Sequence, residues 1–391
     1  MELVSPYNRL DLLFDDILFL SEARREHQLM CRVFEKAVGS NGAVLQVSDL
    51  LRDVFQLDDA RREFVELLCR TRSDIALQAF EQELLQLSPE DLHRLALTGR
   101  SPLPIELQPL PNLIFTRDLA AAVGNHFIMS HAAKLARIRE SILFRVILHH
   151  HPRFESLGDH LIELPDGVTF EGGDLLVLNA ETVLIGHSER TSLGGVLTIA
   201  RELFTRTAVQ NVLMVDLPKR RYCMHLDTVF TFTSPTEAVY FPPIIGEGDL
   251  EGSVMHLTQG AEPERFDSRT LPSLKHALAE VVPYEITYIP CGGHERHHQE
   301  REQWTDGANF FAIAPGVVIG YERNRRTFEM MQEHGYRVVT AEGFLSYYKQ
   351  SEFVPGEKIA IMLEGNELSR GRGGPRCMTM PLRRHALGPA A

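Results

Sequence analysis

The 391-residue chain is long enough to bury a sizeable core and to form two or three average domains or one large one. Its 53 acidic and 40 basic residues leave a formal net charge of −13, which argues against a mainly electrostatic contact with nucleic acid or an anionic membrane and suits a cationic small substrate. The cysteines are odd in number, scattered and never in a Cys-x-x-Cys pair: Cys31, Cys69, Cys223, Cys291 and Cys377. This pattern indicates neither a disulfide framework nor a thiolate zinc site, and it leaves at least one thiol free.

The first twenty residues are unlike a signal peptide, because they carry Asp11, Asp15 and Asp16. No uncharged apolar run approaches the length of a membrane span. We therefore expect an enzyme-sized protein in a reducing, cytoplasmic compartment.

The predicted elements begin with a short strand near residues 12–20, which leads into a helix with apolar residues at helical spacing. From Ser48 to Arg100 glycine is absent until Gly99, and apolar residues recur about every 3.6 positions, which predicts a run of short helices. Residues 88–90 place a serine before a proline, a typical helix start. Residues 47–100 are therefore predicted to form an all-helical block early in the chain.

After residue 104, short apolar runs rich in β-formers alternate with helical stretches, which is typical of an α/β or α+β domain. The predicted strands cover residues 113–116, 127–129, 175–178, 183–185, 212–215, 228–232, 239–241, 285–289, 310–313, 317–321, 337–340 and 378–381. The predicted helices between them include residues 134–148, 194–203 and 327–334.

Two histidine clusters are predicted to have no catalytic role. Residues 294–298 contain the H-E-x-x-H pattern, which can place two imidazoles one helical turn apart on a zinc ion. We reject a zinc site because the segment follows a predicted strand and two glycines and does not lie within a helix; it is predicted as a solvated loop or helix start. Residues 149–151, ahead of Pro152, are predicted to end a helix, where partly protonated histidines are favourable.

Four other segments place ionisable groups where a predicted strand ends or where glycine lets the backbone approach a ligand. They are residues 111–118, 170–174, 224–227 and 370–381. In the third segment, the i, i+2 spacing of His225 and Asp227 on an extended chain directs both side chains to the same face. The fourth segment is a glycine-rich loop that is predicted to deliver Cys377 at the start of a short strand.

Each of these segments also has a purely structural explanation. A Gly-Gly-Asp sequence before a strand is commonly a turn, a lone cysteine is commonly a small buried hydrophobe, and a His-x-Asp pair is as often a surface pair as a catalytic one. Arg372 and Arg376 lie close to Cys377 in sequence, which predicts a thiol pKa below the usual value of about 8.5. Together, a free thiol, a histidine and several carboxylates provide a nucleophile, an acid/base and an anchor for a cation.

These four segments, in this order, resemble the arginine deiminase family of guanidine-modifying enzymes. Residues 301–309 and 315–324 strengthen the resemblance, which extends from about Leu12 to Met380. The resemblance implies an α/β fold, a five-module propeller of ββαβ units around a pseudo-fivefold axis. It also implies one catalytic domain over residues 1–391, with residues 47–100 as a helical insertion, and a homodimer or larger homo-oligomer.

The activity that the resemblance implies is hydrolytic deimination of free L-arginine to L-citrulline and ammonia. Cys377 would attack the guanidinium carbon to form an amidino-thioether, from which water releases citrulline. His225 would be the general acid/base, with Glu171 holding its imidazole. Asp118 and Asp227 would accept hydrogen bonds from the guanidinium, since burying this cation without compensating charge is costly.

The resemblance also assigns residues that bind the rest of the substrate. Arg137 and Arg190 match arginines that bind the α-carboxylate, and Arg372 matches an arginine on a mobile loop near the nucleophile. The full set of predicted substrate-binding residues is Asn112, Phe115, Asp118, Arg137, Asp174, Arg190, Asp227 and Arg372. Asp174 is expected to support the site by hydrogen bonding. No metal or organic cofactor is expected, because the thioether and a positioned acid/base supply the chemistry.

The chain departs from the family pattern at three places. The family has an additional β-strand ahead of the segment that matches residues 4–6, and either a mis-chosen start or a loss of one outer strand of the first module explains this difference. Pro375 and Arg376 precede the cysteine where many members have Gly-His, and Leu119 follows Asp118 where proline is common. These changes are expected to affect turnover and selectivity more than the type of reaction.

Other functions stay open at this point. Within the superfamily they are a reaction on agmatine or on a methylated arginine, or an amidino transfer. Arg137 and Arg190 argue against agmatine, which has no carboxylate. From other classes, the alternatives are a zinc hydrolase built on His294 and His297 and a non-catalytic arginine-binding protein.

Overall fold

The computed structural model describes residues 1–71, 75–246, 252–260, 265–347, 353–354 and 356–384. The α-helices in this part of the chain are α1 (Leu20–Val38), α2 (Val47–Val54), α3 (Asp58–Thr71), α4 (Ile75–Ala79), α5 (Glu81–Leu85), α6 (Pro89–Thr98), α7 (Leu135–His150), α8 (Leu193–Arg206), α9 (Pro242–Ile245), α10 (Leu274–Val281), α11 (Arg296–Trp304), α12 (Arg325–Glu333) and α13 (Ala341–Tyr347). None of them has an apolar stretch long enough to cross a bilayer.

The β-strands in the same residues are β1 (Ala120–Val123), β2 (His126–Met129), β3 (Leu161–Ile162), β4 (Leu175–Val177), β5 (Thr182–His187), β6 (Asn211–Asp216), β7 (Phe230–Ser234), β8 (Glu237–Tyr240), β9 (Val254–Gln259), β10 (Phe266–Leu271), β11 (Thr287–Pro290), β12 (Phe311–Ala314), β13 (Val317–Tyr321), β14 (Arg337–Thr340) and β15 (Ile359–Leu363). They form several small sheets, with the strand orders β1-β2-β3, β10-β9-β6-β5-β4, β11-β8-β7 and β12-β13-β15-β14. The protein is therefore a mixed α/β structure, as the sequence predicts.

The helical block at residues 47–100 is confirmed by α2 to α6, apart from residues 72–74, which lie outside the described residues. The Ser88 hydroxyl accepts a hydrogen bond from the Asp91 amide at the start of α6. Gly99 ends this helix in the left-handed conformation (φ 77°), where a Cβ atom would lie 1.8 Å from the Leu107 carbonyl oxygen. The buried side chains of the block share one core cluster with those of α7.

A repeated ββαβ unit organises the rest of the chain. In each of three units, two antiparallel strands precede a helix and a strand parallel to the second: β1-β2-α7-β3, β4-β5-α8-β6 and β7-β8-α10-β11. The third unit is interrupted between β8 and α10 by α9 and by β9 and β10, which join the sheet of the second unit. A fourth unit, β12-β13-α12-β14, differs because β15 lies between β13 and β14. β13 and β15 are parallel neighbours with mostly buried side chains, as expected for strands covered on both faces.

The turns that open these units carry the polar residues singled out from the sequence. A 3₁₀ turn precedes β1 at Thr116–Leu119, β4 at Gly172–Asp174 and β7 at Leu226–Thr228. Each of these turns contains an aspartate, and the second turn contacts the other two. The repeat of the fold therefore brings Asp118, Asp174 and Asp227 into one region.

Most of the predicted strands after residue 104 are confirmed, but three strand predictions are wrong. The segment near residues 12–20 consists of a turn, a bend and irregular chain up to the start of α1 at Leu20. Residues 113–116 lie in two successive 3₁₀ turns, and residues 378–381 run from the end of the turn that contains Cys377 into irregular chain. Pro111 begins the first of these 3₁₀ turns. The side-chain Nδ2 of Asn112 donates a hydrogen bond to the Leu12 carbonyl, which fixes the turn. Strands β1, β3, β9, β10 and β15 were not predicted.

A cluster of charged side chains joins the helical block to the end of α7. His149 lies between Glu63 of α3 (Nδ1 to Oε1, 3.1 Å) and Glu163 (Nε2 to Oε1, 2.9 Å), and His150 contacts the second oxygen of Glu63 at 2.6 Å. Hydrogen bonds to Glu163 and Glu63 raise the pKa of His149 to about 9. Burial raises the pKa of Glu63, but its hydrogen bonds to His149 and Arg145 lower it to about 2.

His149→Gln should lower the thermal unfolding midpoint more at about pH 6 than at about pH 10. The folded-state pKa of His149 is raised to about 9, so its stabilisation is fully present below the unfolded pKa of about 6.5 and is lost as pH rises through the folded value. Thermal scans of wild type and variant across this range provide the measurement. His294→Gln, at an exposed position, is the control. A destabilisation that is the same at both pH values would contradict the prediction.

Candidate active site

His225 is buried between two carboxylates. Its Nε2 lies 2.8 Å from Glu171 Oε2, and its Nδ1 lies 3.6 Å from Asp118 Oδ1. Burial alone lowers the pKa of His225, but the Asp118 charge and the Glu171 hydrogen bond raise it to about 9. Burial raises the pKa of Glu171, whereas His225, Arg190 and Arg137 hold it below its usual range. The pair is therefore an imidazolium held by a carboxylate near neutral pH.

The two aspartates predicted to bind a guanidinium are each half satisfied. Asp118 Oδ2 accepts a hydrogen bond from Arg137 Nη1, and Asp227 Oδ2 accepts one from Arg376 Nε at 3.2 Å. The other oxygens, Asp118 Oδ1 and Asp227 Oδ1, are buried and have no hydrogen-bond partner among the described residues. A buried carboxylate oxygen without a hydrogen bond is energetically costly, so these two oxygens call for additional hydrogen-bond donors in the site.

The Cys377 side chain is held by Asn309. Asn309 Oδ1 accepts hydrogen bonds from the Cys377 amide (3.2 Å) and from its Sγ (3.3 Å), and Asn309 Nδ2 donates to the Asp227 carbonyl at 2.8 Å. Gly374 allows this approach, because a Cβ atom there would lie 2.6 Å from Asn309 Oδ1. One amide side chain thus connects the thiol to the turn that carries Asp227.

The pKa of the Cys377 thiol is raised well above its usual value, mainly by burial and then by the charges of Asp227 and Asp118. The lower pKa predicted from the neighbouring arginines is therefore wrong. The Arg376 guanidinium pairs with Asp227, and the Arg372 guanidinium stacks over Trp304 at 3.5 Å from the ring centroid. Burial and the carboxylates consequently outweigh both arginines at the sulfur.

A cavity brings together eight of the residues predicted from the sequence: Asn112, Phe115, Asp118, Arg137, Arg190, His225, Arg372 and Cys377. Sequence reasoning missed five others in its lining: Leu13, Arg221, Met224, Thr228 and Gly371. Met224 and Gly371 lie within two of the four segments identified from the sequence, so the ionisable residues beside them were the signal that could have indicated them. No sequence signal pointed to Arg221, which is held in place by Asp15 and the Leu13 carbonyl.

Three predicted residues, Glu171, Asp174 and Asp227, are not part of the cavity lining. Asp174 Oδ2 accepts hydrogen bonds from Ser188 and Thr191, both at 2.6 Å, and its Oδ1 accepts one from the Leu226 amide at 2.9 Å. Burial raises the pKa of Asp174 to about 6. These contacts fit the supporting role expected for Asp174, because Leu226 lies between His225 and Asp227.

The arginines of the cavity differ in how many of their donors are used. All three nitrogens of Arg137 contact protein acceptors, chiefly Asp118 and Glu140. Arg190 Nη1 lies 3.4 Å from Glu171, and its buried Nε lies 3.9 Å from Glu189 Oε1 but has no hydrogen-bond partner within the described ranges. Arg372 Nε and Nη1 are likewise buried without hydrogen-bond partners there. Among the described residues, the buried arginine nitrogens of the cavity lining that make no hydrogen bond therefore belong to Arg190 and Arg372.

Among the described residues, two groups of side chains have the spacing of a metal site. In the first, donor atoms of Asp118, Glu171 and His225 lie within 4.8 Å of one another, but Arg137 Nη1 contacts Asp118 and is 3.6 Å from Glu171. A guanidinium thus already balances these carboxylates. The second group, around His297, is largely exposed at the start of α11, which begins at Arg296. His294 therefore lies outside the helix, and the helix start predicted for this segment is confirmed.

The chain is similar to known proteins over nearly its whole length. The arginine deiminase family model matches residues 10–99 and 70–384. The chain belongs to the arginine deiminase family. The arginine deiminases of Bacillus cereus (strain ATCC 10987 / NRS 248) and Listeria monocytogenes (serotype 4a) are each 34% identical to it, over 98% and 99% of this chain and 93% of each relative. Among solved structures, the N-terminal domain of a cyanobacterial arginine dihydrolase aligns at 20% identity and a TM-score of 0.46, over 71% of this chain and 78% of that chain.

Asp227→Asn should accelerate the alkylation of Cys377 by iodoacetamide at about pH 8, because it removes the carboxylate that contributes most, after burial, to the raised thiol pKa. The measurement is the rate of modification of the peptide that contains Cys377, followed by mass spectrometry. Asp267→Asn, at an exposed position of β10, is the matched control and should leave the rate unchanged. An unchanged or slower rate in Asp227→Asn would show that the carboxylate does not control the thiol.

Proposed function

We propose that the protein hydrolyses free L-arginine to L-citrulline and ammonia. The observation that carries this proposal is the pair of bare, buried oxygens of Asp118 and Asp227 in the region of Cys377 and His225. A planar guanidinium offers five N–H donors and a positive charge, so it can satisfy both oxygens and both charges at once. Membership of the arginine deiminase family supports the same substrate.

In the first step, the bound guanidinium offsets the charges of Asp118 and Asp227, which favours ionisation of Cys377, and the thiol proton is released to solvent because His225 is already protonated. The sulfur attacks the guanidinium carbon and forms a C–S bond. The His225 imidazolium donates a proton to one terminal nitrogen, the C–N bond to that nitrogen breaks, and ammonia leaves. The product is a cationic amidino-thioether on Cys377, together with neutral His225.

In the second step, water attacks the amidino carbon while His225 accepts a proton from it. The C–S bond then breaks and the sulfur leaves as a thiolate, which takes up the remaining proton of the former water molecule, so that neutral citrulline is released and the thiol is restored. Glu171 fixes the imidazole through Nε2, so Nδ1, on the side of Asp118, is the nitrogen that exchanges protons with the reacting atoms. Glu171 also stabilises the imidazolium that forms in this step.

The α-carboxylate of arginine is proposed to bind the bare donors of Arg190 and Arg372, with Arg137, Asn112 and Phe115 completing the cavity. A carboxylate placed there would satisfy buried guanidinium nitrogens that have no partner in the described part of the chain. This charge pattern favours arginine over agmatine, which lacks the carboxylate.

The domain organisation, the oligomeric state and the location of the protein are also part of the proposal. Three ββαβ units and the variant fourth support a five-module propeller, in which the helical block at residues 47–100 is an insertion into a single catalytic domain over residues 1–391. The resemblance to the family supports a homodimer or larger assembly. The unpaired cysteine pattern of the sequence supports a reducing, cytoplasmic location.

Purified protein incubated with L-arginine should produce citrulline and ammonia in equal amounts. Cys377→Ala should lower the rate on the order of a thousandfold or more, because the nucleophile is lost. A chelator should have no effect, since neither step uses a metal ion. Activity that survives in Cys377→Ala and disappears with the chelator would contradict the proposal and support the zinc alternative at His294 and His297.

Three controls accompany this assay. Cys69→Ala, a buried cysteine of α3, should retain activity. Enzyme quenched during turnover should carry the amidino mass on the peptide with Cys377, and its presence on Cys223 would refute the assignment of the nucleophile. Agmatine should be turned over far more slowly than arginine, and equal rates would refute the carboxylate contacts of Arg190 and Arg372.

A further inference from the structure

Arg376, the residue just before the nucleophile, contacts a carboxylate of the site. Its Nε lies 3.2 Å from Asp227 Oδ2, and its Nη2 donates to the Leu175 carbonyl at 3.4 Å. The Asp227 side chain is fully buried and that of Arg376 is 12% exposed, so little water screens the pair.

The backbone of Arg376 is fixed as firmly as its side chain. Its carbonyl accepts hydrogen bonds from Arg117 Nε at 3.2 Å and from the Thr379 hydroxyl at 3.0 Å. The guanidinium therefore projects from an anchored turn, and not from a free loop. An anchored cation can hold a carboxylate in one orientation at a small entropic cost.

The charged and titratable groups that face Asp227 come from several turns. They are Arg117, Asp118, His225, Asp306, Arg376 and Cys377. Burial raises the pKa of Asp227 and Asp118 adds to this, whereas Arg376 is the strongest of the groups that lower it, ahead of His225 and Arg117. Of the six, Arg376 is the group that hydrogen-bonds to the Asp227 carboxylate in the described structure.

We propose that Arg376 is a positioning residue for the guanidinium site. By holding Asp227 through Oδ2, it leaves Oδ1 of the same carboxylate available to the substrate. Arg137 holds Oδ2 of Asp118 in the same way, so each aspartate presents one bare oxygen. The substrate guanidinium is then shared between two carboxylates, with one contact to each. This inference rests on the proposed function.

The opposite role for Arg376 is that of a competitor, which occupies Asp227 and has to leave before arginine binds. The two roles predict opposite effects of removing the guanidinium. A positioning residue strengthens substrate binding, so its loss raises the dissociation constant for arginine. A competitor weakens binding, so its loss lowers that constant. The bare Oδ1 favours the first role, because the contact uses only one of the two oxygens.

The test compares Arg376→Gln, which removes the charge, with Arg376→Lys, which retains it. Arg376→Gln should raise KM for arginine about tenfold at neutral pH, the size of effect expected for one charged hydrogen bond, with a smaller change in kcat. The acid limb of kcat/KM should move to higher pH. The reason is that binding needs ionised Asp227 and is lost as pH falls through its pKa, which rises when the opposing cation is removed.

Arg376→Lys should restore the acid limb towards the wild-type position. Arg326→Gln, which removes an exposed arginine charge from α12, is the matched control and should leave the profile unchanged. A merely structural role for Arg376 would lower kcat/KM equally at every pH and for both replacements, and that result would overturn the proposal. A lower KM in Arg376→Gln would overturn it in favour of the competitor.

If Arg376→Gln has no measurable turnover, the affinity for L-arginine still distinguishes a positioning residue from a competitor. Titration calorimetry with L-arginine would compare Cys377→Ala with the double variant Cys377→Ala/Arg376→Gln at neutral and acidic pH. Weaker binding in the double variant, with a larger deficit at acidic pH, supports the proposal; equal or tighter binding overturns it. A wild-type protein that makes no citrulline would contradict the proposed function itself, whereas an active wild type with an unshifted Arg376→Gln profile contradicts only the role of Arg376.

Discussion

The buried carboxylates of Asp118 and Asp227 are the constraint on which the rest of the site depends. Each has one oxygen held by an arginine and one oxygen without a partner in the described residues. Such groups are costly to bury, and the cost falls when a cation with several donors enters the site. Burial and, after it, the same charges raise the pKa of the Cys377 thiol and favour its protonated form, so in the proposed mechanism the thiol becomes reactive when a cation binds.

The fold supplies this arrangement by repetition. Three successive ββαβ units open with a 3₁₀ turn that carries an aspartate, and contacts between these turns gather the carboxylates in one region. The proposed nucleophile, Cys377, comes from outside those three units, on a glycine-rich turn near the C-terminal end of the described chain. Asn309 connects that turn to Asp227, and Asp174 fixes the turn between His225 and Asp227. Geometry near the reacting atoms thus depends on hydrogen bonds between distant parts of the sequence.

Local signals made part of this structure predictable. Residues 47–100 have an apolar period of about 3.6, α6 has its own serine cap and proline start, and β5, β6 and β13 are short apolar runs. His225, Asp227 and Cys377 could be identified because they are ionisable or nucleophilic residues near glycines or predicted strand ends. The family resemblance supplied their expected roles. Strand β1, with three alanines, and the largely polar β10 have weak strand signals, so they were missed.

What could not be predicted depends on long-range placement. Two arginines beside Cys377 in sequence suggested an activated thiol, but their guanidinium groups lie on Asp227 and on Trp304. Asn309 is 68 residues from Cys377, and β15 inserts between β13 and β14, so no local pattern indicates either contact. The electrostatic potential at the Cys377 sulfur depends on the positions of all charged groups in the folded site, and closeness in sequence does not determine those positions.

The most direct test of this account is a crystal structure of the Cys377→Ala variant with bound L-arginine. We expect guanidinium nitrogens within hydrogen-bond distance of Asp118 Oδ1 and of Asp227 Oδ1, while Arg137 and Arg376 keep their contacts with the Oδ2 atoms. Arginine bound elsewhere, or with its guanidinium away from these oxygens, would contradict the claim that the two half-satisfied carboxylates form the substrate site.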